Sequence, residues 1–143
     1  MKILVKNKKA FFDYAIRENL NAGMVLSGSE VKSLRAGQGS LVGAYVTLRD
    51  MEAWLTHAHI TPYKYAAGKE INPDRDRKLL LNKKELSSLV GKEKGSVIIP
   101  LEIIESDRGL IKLRIGLGFG KNKYDKREAI KKRETSRKIR EEI

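Results

Sequence analysis

The chain has 143 residues, 41% of them apolar, enough for one domain with a modest core. Thirty Lys and Arg against 18 Asp and Glu leave a formal charge of +12, a surplus that calls for a polyanionic partner. Nucleic acid is the first candidate and an anionic membrane surface the second. The lack of cysteine excludes disulfides, thiolate metal sites and cysteine nucleophiles. No window approaches the roughly 18 apolar residues of a membrane span, and the first residues lack a signal-peptide pattern. A soluble, cytoplasmic protein is expected.

Residues 1 to 9 carry Lys2, Lys6, Lys8 and Lys9 without periodicity and read as a loose basic arm. Residues 10 to 120 hold short runs rich in β-branched and aromatic residues, which predict strands: "AFFDYAI", "GMVLSG", "AYVTLRD", "AWLTHAHI", "GSVIIPLEII" and "GLIKLRIGLG". Between them "SGSEVKSLRAG" predicts a short helix capped by Ser29, ended by Gly37, with Val31, Leu34 and the stem of Arg35 inward. "NKKELSSLVGKEKG" predicts another, capped by Asn82, with Leu86, Leu89 and Val90 at helical spacing. The clearest hairpin pairs Val97–Glu105 with Leu110–Leu117 around the turn "SDRG", placing Ile111, Leu113 and Ile115 on one face and Lys112 and Arg114 on the other. The expected fold is mainly β: an OB-like antiparallel β-barrel with two or three short helices and a basic C-terminal tail.

Residues 121 to 143 form that tail, with ten Lys or Arg, five Asp or Glu and few apolar side chains. They bury too little to offset their ordering entropy, so the tail is expected to be disordered when free and helical against a polyanion.

Catalytic motifs do not assemble. Gly116 and Gly120 with Lys121 fit neither a P-loop nor a dinucleotide loop, and are read as letting a strand end bend into the tail. "SEVK", from Ser29 to Lys32, matches a β-lactamase tetrad without its companion motifs. His57 and His59 form H-x-H in a predicted strand, both toward one face, with no third ligand beside them. The acids sit within basic runs, as charge balance rather than as a general acid–base pair. No cofactor is implied. The basic run "DRDRKLLLNKKE" instead frames an apolar triplet, and Tyr124 adds stacking capacity among charges. These residues point to an RNA-binding barrel whose tail folds on binding; a generic single-stranded RNA or DNA binder is the alternative.

"AGMVLSGSEVKSLRAG", from Ala22 to Gly37, resembles the signature of the SmpB family, the SsrA (tmRNA)-binding proteins of bacteria. "NKKAFFDYAI", "AWLTHAHITPY", "RDRKLLLNKKEL" and "GKNKYDKREAIKKR" are similar to further motifs of that family, in order, from about Lys6 to the end. Asn82 departs from the usual His there and Asn122 from the usual second lysine. The resemblance implies trans-translation without catalysis. A monomer away from membranes would bind the tRNA-like domain of tmRNA and help deliver it, alanine-charged and with elongation factor Tu, to stalled ribosomes. Alanyl-tRNA synthetase would be an indirect partner through charged tmRNA. The tail would probe the empty mRNA channel and decoding site. By the same resemblance Glu30, Lys32 and Arg35 would face tmRNA, Glu30 either accepting from RNA or balancing nearby bases. Arg75, Arg77 and Lys78 would contact RNA backbone. Lys121, Tyr124, Asp125, Lys126 and Arg127 match the decoding-site motif, and Ile130, Lys131 and Arg133 the later tail motif.

Overall fold

The computed structural model describes residues 1–63 and 72–121. Among these residues nine strands and three helices follow in chain order: β1 (Lys2–Lys6), α1 (Lys8–Asp13), β2 (Tyr14–Met24), α2 (Gly28–Arg35), β3 (Gly39–Ser40), β4 (Tyr45–Arg49), β5 (Glu52–Thr56), β6 (His59–Ile60), β7 (Arg77–Leu80), α3 (Lys83–Val90), β8 (Val97–Glu105) and β9 (Ile111–Gly120). The main sheet has seven strands in the order β1-β8-β9-β2-β7-β5-β4, every pairing antiparallel. It curls until β4 packs against β8, and a small β3–β6 pair lies beside β1. The mainly β, antiparallel, barrel-like fold with short helices is the one expected.

Its interior is filled by inward-facing positions of the strands, among them Ala22, Leu55, Leu79, Ile103, Leu113 and Ile115, with Leu34 from α2 and Leu89 from α3. The β8–β9 hairpin forms as predicted, with the Ser106 amide donating to the Leu110 carbonyl and Gly109 turning at φ 80°. Asn82 caps α3, accepting from the Glu85 amide at 2.8 Å.

Several expectations are corrected. The stretch read as a loose basic arm holds β1, an edge strand that runs Lys2 to Lys6 along Glu105 to Glu102, with Val5 buried. Its lysines point away while Val5, with Leu4 beside it, packs on the core, and a register shift between Ile3 and Val5 breaks the alternation that would show it. "AFFDYAI" is not one strand. Asn7 caps α1, its side chain accepting from the Ala10 amide, so the chain is helical to Asp13 and extended only from Tyr14. Ser27, not Ser29, caps α2: its hydroxyl accepts from the Glu30 amide at 3.2 Å and its own amide donates to Glu30 Oε1 at 2.9 Å. Arg35 is exposed rather than inward. The H-x-H strand breaks at His57, whose φ of 62° no strand residue adopts, and β5 and β6 lie on either side.

Glycine in β9 serves close packing rather than a bend. The strand stays paired to Gly120, opposite Tyr14. A Cβ on Gly118 would lie 2.2 Å from the Ala15 carbonyl oxygen of β2, so the approach of these strands requires glycine there. Across from it, β2 carries a bulge at Arg17, between Ile16 and Glu18.

Candidate nucleic-acid interface

Two of the expected RNA-contacting residues form the polar centre of the core instead. Glu30, 4% exposed, sits on α2 behind its capping box, and Arg77, 0% exposed, enters β7 pointing inward. Arg77 donates to Glu30 Oε2 through Nε at 3.0 Å and Nη2 at 2.8 Å, and to the carbonyls of Ala58 and Pro73. Arg75 comes to the same carboxylate from the surface side, through Nε to Oε2 at 3.2 Å and through Nη2 to Oε1. Burial pushes the Glu30 pKa up. The bonds from Arg75, the Ser27 amide and Arg77, with the Arg77 charge, more than offset this and hold it below the ordinary 4.5. Both carboxylate oxygens of Glu30 are therefore engaged within the protein, by the Ser27 amide and the two arginines. The RNA-backbone role of Arg77 is corrected for the same reason: no solvent, and no phosphate, reaches its guanidinium. Together these groups lock α2 to the loop before β6 and to β7.

The remaining expected residues are distributed around this lock. Arg75 keeps a third of its side chain exposed, 33%. Lys32 lies over the Tyr63 ring, 5.5 Å from its centroid, on the exposed side of α2. Arg35 reaches Glu105 Oε2 at 2.5 Å and the Gly109 carbonyl at 3.3 Å, tying α2 to the β8–β9 turn. The Lys121 amide donates to the Asp13 carbonyl at 2.8 Å, and its Nζ to the Phe11 carbonyl at 3.4 Å. Tyr124, Asp125, Lys126, Arg127, Ile130, Lys131 and Arg133 lie outside the described residues.

Lys78 belongs to a different surface, which the strand pairing assembles. Inward Arg77 and Leu79 put Lys78 and Leu80 on the outward face of β7, and buried Ala53 and Leu55 put Trp54 outward on β5. Register places Lys78 beside Trp54, and Trp54 beside Thr47 of β4. It also places Leu80, 54% exposed, beside Gly23 of β2, and Gly23 beside Lys112 of β9. Arg49, Lys78 and Lys112 thus share an open face with Trp54 and Leu80, and Gly23 leaves a flat step between them. Each of Arg49 and Lys78 pairs with one acid, Asp76 at 3.0 Å and Glu52 at 3.1 Å, at exposed positions where such pairs contribute little. Among the described residues Lys83, Lys84 and Lys112 make no ion pair. A cationic sheet face with an aromatic and an apolar residue is the surface on which barrel proteins bind single-stranded nucleic acid. Sequence reading missed the parts played by Arg49, Leu80 and Lys112. Their alternation with buried neighbours was visible, but which strands lie side by side was not.

His57 and His59 do not converge. The His57 ring lies 5.4 Å from the Tyr45 ring, while His59 Nδ1 faces Asp74 Oδ1 at 2.9 Å. Among the described residues no three His, Cys, Asp or Glu side chains group as a metal requires. No helix among them is long and apolar enough to cross a membrane.

The family described as SmpB protein matches residues 4–143. The chain belongs to the SmpB family. An SsrA-binding protein of Sulfurihydrogenibium sp. (strain YO3AOP1) is 51% identical over 140 residues, covering 96% of this chain and 91% of that one. The SsrA-binding protein of Thermosipho melanesiensis is 46% identical over 143 residues, 99% of this chain and 97% of its own. Among solved structures, one described as "tmRNA-SmpB: a journey to the center of the bacterial ribosome" aligns with TM-score 0.68 and 40% identity, over 87% of this chain and 92% of that one.

Proposed function

We propose that this chain is the tmRNA-binding adaptor of trans-translation: it binds the tRNA-like domain of tmRNA and helps deliver it to stalled ribosomes. The observation that carries this reading is the family match from residue 4 to residue 143, which takes in the sheet face, the Glu30 lock and the C-terminal segment alike. Arg75, Lys32 and Arg35 contact RNA backbone from the rim, the last two after giving up weak surface partners, and Lys78 contacts it from the sheet face. Glu30 and Arg77 hold the scaffold and do not touch RNA. Lys121 starts the segment that places Tyr124, Asp125, Lys126 and Arg127 at the decoding site and Ile130, Lys131 and Arg133 along the mRNA channel. The adaptor works in the cytoplasm as a monomer without catalysis of its own, and meets elongation factor Tu and alanyl-tRNA synthetase only through charged tmRNA.

A titration at fixed, near-physiological salt tests this, comparing the tRNA-like domain of tmRNA with an ordinary tRNA and an unstructured single strand. A preference of about tenfold or more, ~1.4 kcal/mol, is expected for the tmRNA domain. Equal affinities that collapse together as salt rises would reduce the protein to a generic basic binder.

A further inference from the structure

The chain has a single tryptophan, and it is not in the core. Trp54 stands on the outward side of β5, between buried Ala53 and Leu55, and the group lying over its ring is the guanidinium of Arg49, 4.9 Å from the centroid. We propose that Trp54 is a stacking platform for one unpaired base of a bound RNA, with Arg49 as a cover that moves from the indole to the RNA. The proposal rests on the RNA-binding reading above and assigns it a contact.

The geometry supports each part. A guanidinium over an indole marks the open face of the π system, and a nucleobase is another flat group that stacks there. Arg49 is held in place by Asp76, through Nη2 to Oδ2 at 3.0 Å, with 49% of the arginine and 38% of the aspartate side chain exposed. That link competes with water at every moment, whereas a phosphate offers the same fork a bidentate partner. Lys78, directly opposite Trp54 on β7, has one acid partner, Glu52 at 3.1 Å, and is 41% exposed. Thr47, opposite Trp54 on β4, shares a 3.0 Å hydrogen bond with Thr56 and leaves the rim low and polar. Asp76 and Glu52 neutralise the two cations in the free protein, so selectivity here comes from stacking rather than from net charge. A base inside a duplex presents no free face, and the site therefore selects unpaired nucleotides.

Because Trp54 is the chain's one tryptophan, its emission reports the site directly. The full chain is titrated with a mixed-sequence single-stranded RNA and with a blunt, fully paired RNA duplex, filter retention reporting binding and emission reporting Trp54. Saturation with the single strand is expected to cut emission to about half or less, and the duplex to leave it within about a tenth of its starting value. Trp54→Leu, which keeps apolar bulk without a π face, is expected to weaken single-strand binding by roughly five- to tenfold and leave duplex binding unchanged. Retention of the single strand with unchanged emission overturns the platform while RNA binding stands. So does an equal loss of emission with the duplex, or unchanged single-strand affinity in Trp54→Leu. Retention of neither RNA overturns the platform, while binding of the tRNA-like domain in the titration above decides the RNA-binding reading separately.

Discussion

Taking the charge from Glu30 strands Arg77, which has no exposed surface and, among the described residues, no other carboxylate partner. Breaking a buried pair from one side costs about 3 to 5 kcal/mol. The glutamine of Glu30→Gln keeps an oxygen for part of the hydrogen bonding, so a loss of ~2 to 4 kcal/mol is expected, read from the urea midpoint. Arg35→Ala removes a pair that is 50% and 22% exposed and should cost under about 1 kcal/mol in the same assay. The lowered pKa of Glu30 gives the effect a pH signature. A carboxyl whose native pKa lies below 4.5 contributes stability that is fully present above 4.5 and is lost as pH falls through its native value. The stability gap between wild type and Glu30→Gln should therefore hold at neutral pH and narrow below about 4.5, and a gap independent of pH would contradict this assignment. Sequence reading left Glu30 open between two roles and assigned Arg77 to RNA. An arginine in "DRDRK" looks solvated until the acid that buries it, 47 residues earlier, is known.

At the level of elements, α2 and the β2–β9 pair make separable claims. Ser27→Ala removes the hydroxyl that accepts from the Glu30 amide and should cost ~1 kcal/mol. Ser29→Ala touches no amide of the helix start and should stay within about 0.5 kcal/mol; the reverse order of the two would restore the cap first expected. The signal was present, since Glu30 lies three residues after Ser27 as a capping box requires, but a second serine nearer the apolar positions masked it. In β9, Gly118→Ala forces a Cβ to within 2.2 Å of a backbone oxygen and should destabilise by ~1 to 3 kcal/mol. Gly120→Ala meets nothing within 4 Å and should be close to neutral by thermal unfolding. The β8–β9 hairpin and α3 were legible because turn, alternation and cap all lie within one short stretch. The bulge at Arg17 and the break at His57 were not, because each depends on where the chain must go next.

The molecule as a whole separates a scaffold, locked by Glu30 and Arg77, from a basic segment that continues past Lys121. Removing residues 122 to 143 leaves the Lys121 amide bonded to Asp13 and the sheet face complete. The truncated protein should bind the tRNA-like domain with affinity within about threefold of the full chain. In a translation extract stalled on messages lacking a stop codon it should add no peptide tag, and tagging at the full rate would place the decoding contacts elsewhere. Composition made this division readable, since residues 121 to 143 change character within one turn of sequence. It could not show that β1 is part of the scaffold, since the strand's partner is β8, at the other end of the domain.

That pairing bears on how the protein is made. The strands laid down first, β1 and β2, find their main partners in β8 and β9, so the sheet is sewn between the two ends of the domain. Such long-range closure is slow, and a chain growing from the ribosome exposes β1 and the polar length of β2 until residues 97 to 120 have emerged. A message broken upstream of Val97 would yield a product with β1 unpaired and β2 held at most at its end by β7, open to aggregation. The synthesis of this protein is thus itself sensitive to damaged messages, since its sheet closes only when the last strands arrive.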